Sequence, residues 1–226
     1  MSRPVKLWLF DIDGTLVDTG GAGMKALQDA ALHCFGDVGP KLDLAGSTDS
    51  GIVRGMFDHF GRDPEPSGVE GFYARYLERL ESNLAGGDFP GRVLPGAVAL
   101  LDLLAGRADV TVGLLTGNIE AGARAKMRHF GLDHHFGFGA YGCDHHDRNR
   151  LGPVALARAE AHTGRSFSAA ETLVIGDTPK DIACARAMGA RCLAVATGAF
   201  DEDGLADADR VVDSLEASAA WSDYLD

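Results

Sequence analysis

Three apolar, strand-like runs, Val5 to Phe10, Val110 to Leu115 and Thr172 to Ile175, each end in a short polar motif and lead toward a helix-like pattern. Alternation of this kind implies an α/β fold, with a parallel sheet covered by helices on both faces. Ligands of such open sheets bind at the carboxyl ends of the strands, so the residues following the three runs are the first candidates for a site. They read Asp11-Ile12-Asp13-Gly14-Thr15, Thr116-Gly117-Asn118 and Gly176-Asp177-Thr178-Pro179-Lys180-Asp181. Carboxylates, hydroxyls and glycines gathered at one sheet edge suit a metal ion and a phosphoryl group.

Side chains alternate along an extended chain, so Asp11 and Asp13 point the same way while Ile12 points back into the protein. Two adjacent carboxylates repel unless a cation or a shared proton relieves them. Gly14 permits a tight turn and Thr15 adds a hydroxyl. The competing reading is a strand end with turn-forming Asp and Gly. In the last motif Thr178 is an N-cap candidate, Pro179 suits the first helical position and Gly189 can close the helix. Asp181 completes a capping box with Thr178, so it is either structural, or a holder of metal-bound water, or both. Asp177 has no capping role and reads as a metal ligand. Thr116-Gly117-Asn118 closes its strand and is placed to start a helix running to Phe130, with Gly131 as terminator. A hydroxyl and exposed amides there make an anion site, although an ordinary cap has the same composition.

The order and character of these motifs resemble the haloacid dehalogenase superfamily, in its phosphatase branch. The family's Asp-x-Asp-x-Thr is matched by Asp11, Asp13 and Thr15, its Ser/Thr after a hydrophobic strand by Thr116, and its Gly-Asp-x-x-x-Asp by Gly176, Asp177 and Asp181. The family's third motif, a Lys shortly before a Pro at a helix start, is not matched. The region reads Asp147-Arg148-Asn149-Arg150-Leu151-Gly152-Pro153, so an Arg must supply the charge. Arg148 sits at the loop-to-helix junction and is preferred; Arg150 has the spacing to Pro153 and stays open. Arg binds phosphate through a planar fork where Lys acts as a point charge, so the exchange is tolerable.

The resemblance implies a doubly wound core with an inserted helical cap, residues 1–18 and 91–226 forming the core and 19–90 the cap, and neighbouring central strands carrying Asp11 and Asp177. It implies a Mg²⁺-dependent phosphatase acting on a small phosphorylated metabolite, phosphoglycolate-phosphatase-like among the branches. In that scheme Asp11 attacks phosphorus and forms an aspartyl-phosphate, and Asp13 is the general acid and base. Asp11, Asp177 and the backbone carbonyl of Asp13 hold Mg²⁺, and Thr116, Gly117 and the chosen Arg bind the phosphoryl oxygens. Asp13 argues against a dehalogenase, which lacks the second Asp. A β-phosphoglucomutase-like enzyme would carry a His-containing motif after the hinge, where Gly20-Gly21-Ala22-Gly23-Met24 has none. A non-catalytic ligand-binding relative would not need the intact Asp11, Asp13, Thr116 and Asp177.

The stripes Met24/Leu27/Ala31/Cys34, Ile52/Val53/Met56/Phe57/Phe60 and Phe72/Tyr73/Tyr76/Leu77/Leu80 follow helical spacing and read as the core of a small bundle. Asp18-Thr19-Gly20-Gly21 reads as a hinge, and Gly86 to Gly91 with Pro95-Gly96 as the return linker. Arg54 and the loop Gly46-Ser47-Thr48-Asp49 are candidates for substrate contact, against the readings of a surface Arg and an N-capping turn. After Gly131 the pattern gives a strand from Phe136 to Tyr141, helices from Leu151 to Thr163 and Pro179 to Met188, a strand from Cys192 to Ala196 and a short one at Val211-Val212.

A formal charge of −12 with no compensating basic stretch argues against nucleic-acid or acidic-membrane partners. No stretch of about 20 apolar residues is present, so neither secretion nor membrane spanning is expected. Cys34, Cys143, Cys184 and Cys192 lack metal-ligand spacing and read as free, mostly buried thiols in a reducing cytoplasm. The expected assembly is a monomer or homodimer. His134, His135, His145 and His146, with Asp133, Asp144 and Asp147 nearby, can converge on zinc; a solvated loop is the preferred reading.

Overall fold

The computed structural model describes residues 6–41, 43–217 and 221–225; Val5, the first residue of the opening apolar run, lies outside them. Six strands form one parallel sheet: β1 (Lys6–Phe10), β4 (Val110–Leu115), β5 (Gly139–Ala140), β6 (Thr172–Gly176), β7 (Arg191–Val195) and β8 (Arg210–Val212). Their spatial order is β5-β4-β1-β6-β7-β8. The chain therefore winds outward in one direction through β4 and β5, then crosses β1 and winds outward in the other. This reversal beside β1 is the point where doubly wound sheets bind ligands.

Period-two alternation divides the central strand between two cores. Trp8 and Phe10 join Leu100, Leu101 and Leu104 of α4 (Ala97–Ala105) and Ala123 and Met127 of α5 (Glu120–His129). Leu7 and Leu9 face the other way, against Leu151, Ala155 and Ala159 of α6 (Leu151–Thr163) and Ile182 and Ala185 of α7 (Pro179–Met188). Apolar area buried on both faces is what stabilises a parallel sheet, at about 25 cal/mol per Å² removed from water.

Three helices, α1 (Ala22–Phe35), α2 (Asp49–His59) and α3 (Pro66–Ala85), fall between β2 (Val17–Asp18) and β3 (Arg92–Val93), which pair antiparallel with each other. The insert has its own core, with Ala26, Leu27, Ala30, Val53, Met56, Phe72, Tyr76 and Leu80 buried. Met24, expected in this core from its spacing, is half-buried and lines a cavity instead, while the half-buried Ile52 packs against the core and lines the same cavity. Gly20 and Gly21, where the insert begins, both have positive φ, a conformation that side-chain-bearing residues resist.

Several sequence expectations need correction. The strand from Phe136 to Tyr141 shrinks to Gly139–Ala140, because a 3₁₀ turn at Asp133–His135 precedes it and the buried rings of Phe136 and Phe138 anchor an irregular segment. Helix α5 begins at Glu120 and not at the Thr116-Gly117-Asn118 turn. Only two of the four thiols, Cys184 and Cys192, are buried; Cys143 is exposed. Among the described residues no helix is long and apolar enough to cross a membrane.

Candidate active site

Strands β1, β4 and β6 are adjacent, and each ends one residue before a polar group: Asp11, Thr116 and Asp177. Parallel register brings these ends to one edge, with Phe10 opposite both Leu114 and Ile175. Asp11 is buried, its amide donates to Ile175 O at 2.9 Å, and it accepts a hydrogen bond from the Thr116 hydroxyl. Its pKa is raised to about 6: burial is the main cause, and Asp181 and Asp13 add to it, while Arg148 and Thr116 oppose it.

The approach of Asp177 to this edge depends on a glycine. Gly14 turns the chain with φ +81°, and a Cβ there would lie 2.2 Å from Asp177 Oδ2. Thr15 Oγ1 donates to Asp177 Oδ1 at 3.1 Å. The Asp177 pKa is pushed to about 8 by burial, with Asp11 and Asp181 adding to the effect. Asp181 does complete the capping box of α7: its Oδ2 accepts from the Thr178 amide and hydroxyl, at 3.0 and 2.6 Å. Its other oxygen accepts from Arg148. The structural reading of Asp181 is therefore present, together with a second role in positioning Arg148.

Arg148 and Arg150 occupy one 3₁₀ turn, Arg148–Arg150, yet differ completely in environment. Arg148 is buried, with Nη2 3.2 Å from Asp11 Oδ1 and donating to Leu115 O at 3.2 Å. Burial works against its charge, but Asp181 and Asp11 outweigh that and raise its pKa. Its buried Nε has no hydrogen-bond partner. Arg150 is exposed.

Asp13 is held by a residue that the sequence reading passed over. Lys126, buried on α5, donates to Asp13 Oδ1 and Oδ2 at 2.8 and 2.7 Å and to Asn118 Oδ1 at 2.6 Å. Asn118 Nδ2 in turn donates to Asp13 Oδ2 at 2.8 Å and to Thr116 Oγ1 at 2.9 Å. A signal was available: Lys126 falls on the buried stripe of its helix, among Ile119, Ala123 and Met127, where an apolar residue is expected.

The insert reaches the site through the loop before α2. Thr48 is the N-cap of α2, accepting from Gly51 N, as its capping reading required. Asp49 is buried, donates its amide to Gly117 O at 2.7 Å, and accepts from Ile119 N at 2.8 Å. Burial is the main reason its pKa rises to about 6, with Lys126 and the Ile119 amide opposing. A Cβ on Gly117 would lie 1.9 Å from Ser47 O, so only glycine allows this contact between insert and core. A cavity of about 500 Å³ lies between them, lined by Asp11, Asp13, Thr116, Gly117, Asn118 and Lys126 from the core side.

Two candidates fall elsewhere. Arg54 is exposed and lines a separate cavity with Tyr73, Cys143 and His145, so it is not a residue of the Asp11 cavity. The four histidines do not converge: His134 and His135 lie near Asp102, while His145 and His146 stack on each other beside Arg54.

Asp11, Asp177 and Asp181 each place an oxygen within 4.8 Å of the others. Burial is the main reason that Asp11 and Asp177 have raised pKa values, and the neighbouring carboxylates, three against the one guanidinium of Arg148, add to it. Hard oxygen donors with a cation deficit fit Mg²⁺.

The sequence profile of the haloacid dehalogenase-like hydrolases matches residues 8–195. The chain is 29% identical to a phosphoglycolate phosphatase of Rhodospirillum rubrum, over 97% of this chain and 88% of that protein. It is 27% identical to the probable phosphatase IndB of Dickeya dadantii, over 88% and 84%. The crystal structure of CbbY from Rhodobacter sphaeroides in complex with phosphate has the same fold, with a TM-score of 0.74 at 20% identity over 96% of this chain and 98% of that one.

Proposed function

We infer that this chain, which belongs to the haloacid dehalogenase-like hydrolase family, is a Mg²⁺-dependent phosphatase that hydrolyses a phosphomonoester of a small metabolite through an aspartyl-phosphate. The observation that carries this reading is the meeting of Asp11 with Thr116, Asp177 and Arg148 at the ends of three adjacent strands, two residues before an Asp13 clasped by Lys126 and Asn118. The phosphatases among its relatives support it.

In this mechanism a carboxylate oxygen of Asp11 forms a bond to phosphorus as the bond to the ester oxygen breaks. The departing alkoxide takes a proton from the Asp13 carboxyl, which Lys126 and Asn118 hold in place. Water then attacks the phosphorus of the aspartyl-phosphate and returns a proton to Asp13, releasing inorganic phosphate and restoring the Asp11 carboxylate. Thr116, the amide of Gly117 and Arg148 stabilise the phosphoryl oxygens, where catalysis of this reaction is mostly electrostatic. Asp11, Asp177 and the Asp13 carbonyl would hold Mg²⁺, which when bound neutralises phosphate charge.

Residues 19–90 act as a cap that excludes water over a core of residues 1–18 and 91–226, through the Asp49 and Ser47 contacts with the core. We assign the protein to the cytoplasm, as a monomer or homodimer. Release of inorganic phosphate from phosphomonoesters by the Mg²⁺-loaded protein tests the reading, with Asp11→Asn as the control. Turnover should fall by several orders of magnitude in a folded variant, and near-normal activity of Asp11→Asn overturns the mechanism.

A further inference from the structure

The part of the cavity away from Asp11 must receive the alcohol portion of the ester, and its lining restricts what that portion can be. On the insert side its larger side chains are those of Met24, Leu27, Leu44, Ile52, Tyr76 and Asp49, with Thr19, Ser47 and small residues between them. Four are aliphatic or thioether side chains, one is a phenol and one is a buried carboxylate. Among the described lining residues the sole Lys, Arg or His is Lys126, against the carboxylates of Asp11, Asp13, Asp18 and Asp49. That ammonium has three donors, and it makes its three hydrogen bonds to the two oxygens of Asp13 and to Asn118.

Other cations nearby are committed or face elsewhere. Lys180 donates to Asp43 and Ser47 and lines a neighbouring cavity. Arg148 is held by Asp11 and Asp181 at the phosphoryl end. Arg54 lines a third cavity. A carboxylate or second phosphate on the alcohol would thus enter a space with no uncommitted positive group, facing Asp49 and Asp18. Like charges brought together in such a site repel strongly, and a buried anion without a partner is unfavourable in its own right. At about 500 Å³ the cavity also has room for more than a two-carbon acid.

We propose that the substrate, given the phosphatase reading on which this rests, is the phosphomonoester of a largely apolar alcohol that is neutral or carries an amine, and that it bears no second anionic group. Met24, Leu27, Leu44 and Ile52 take its carbon skeleton, and Asp49 accepts a hydrogen bond from its hydroxyl or amine. The carboxylate of phosphoglycolate, the compound named for the Rhodospirillum rubrum relative, is disfavoured here.

Three esters of matched chain length isolate the terminal charge: 2-phosphoglycolate, propyl phosphate and O-phosphoethanolamine. Their kcat/KM is measured by phosphate release with Mg²⁺ present, with p-nitrophenyl phosphate as a general phosphatase substrate. Propyl phosphate and O-phosphoethanolamine should exceed 2-phosphoglycolate by about 100-fold, and Asp49→Asn should shrink that preference about tenfold. Turnover of 2-phosphoglycolate as fast as or faster than the other two overturns the proposal while leaving the phosphatase reading intact. So does a preference that Asp49→Asn leaves unchanged. Failure of the folded protein to hydrolyse any of the four esters overturns both.

Discussion

The ammonium of Lys126 lies 2.7 and 2.8 Å from the two carboxylate oxygens of Asp13, joining the middle of α5 to the end of β1. Arg148 Nη2 lies 3.2 Å from Asp11 Oδ1. Each carboxylate of the first motif thus has its own cation, brought by a different element. The proposed mechanism gives Arg148 to the phosphoryl group and Lys126 to the leaving-group side, where a proton must be given and taken back.

Removing Lys126 tests that division. Lys126→Met preserves the length and buried stem of the side chain but leaves Asp13 with Asn118 as its remaining partner. Because the Asp13 side chain is 42% exposed, water can solvate it and the fold should persist. General acid–base catalysis contributes about 10²–10⁴-fold, so kcat should fall about 100-fold, with a smaller change in KM and a displaced pH–rate profile. An unaltered pH–rate profile would assign Lys126 a packing role alone.

The carboxylate cluster predicts a strict metal requirement. EDTA should abolish activity and Mg²⁺ should restore it, and Asp177→Asn should raise the Mg²⁺ concentration needed for half-activation by at least about tenfold. Isothermal titration of Mg²⁺ into the wild type and the variant gives a second readout independent of turnover. Equal Mg²⁺ affinity in both proteins would remove Asp177 from the ligand set.

Much of this site is legible in the sequence because strand ends and helix starts have local signatures. Thr178-Pro179 and Gly189 mark the ends of α7 directly, and α6 also begins and ends as its pattern indicates. Lys126 escaped because one charge on a helix reads as surface, and only its place among buried neighbours betrays it. Met24 shows a related limit: an apolar face turned to a cavity has the same periodicity as one turned to a neighbouring helix. Arg54 illustrates the converse, since charge near a candidate loop carries no information about which side of α2 faces the site. The tie between Asp49 and Ile119 joins residues 70 positions apart and has no local signature at all.

Asp49 predicts an unusual dependence of stability on pH. Its folded pKa of about 6 exceeds the ordinary value of 3.8, so between these values the folded state holds more protons than the unfolded one. Stability from this group is therefore present below about pH 4 and is lost as pH rises through 6. Asn keeps an oxygen for the Ile119 amide without the buried charge. Asp49→Asn should thus be more stable than wild type at pH 7, by about 2–3 kcal/mol at most, and the two should converge near pH 4. Urea melts at several pH values check this, and a gap that widens toward low pH contradicts the assigned cause.

The two arginines of one short turn provide the sharpest contrast. Arg148 is buried against Asp11 and Asp181, while Arg150, two residues on, is exposed. Losing Arg148 deprives the phosphoryl group of a charge-assisted contact and leaves three buried carboxylates without their guanidinium. Arg148→Ala should therefore weaken transition-state binding by about 2–5 kcal/mol and also lower the melting temperature. Because a variant that unfolds would say nothing about catalysis, Arg148→Lys is the informative companion. It retains the charge near Asp181 but not the planar fork, so it should recover most of the stability and only part of kcat/KM. Arg150→Ala should change either quantity by less than about 0.5 kcal/mol, as exposed charges generally do. A large loss confined to Arg150→Ala would exchange the two roles, and silence at both positions would leave Lys126 as the cation on which turnover depends.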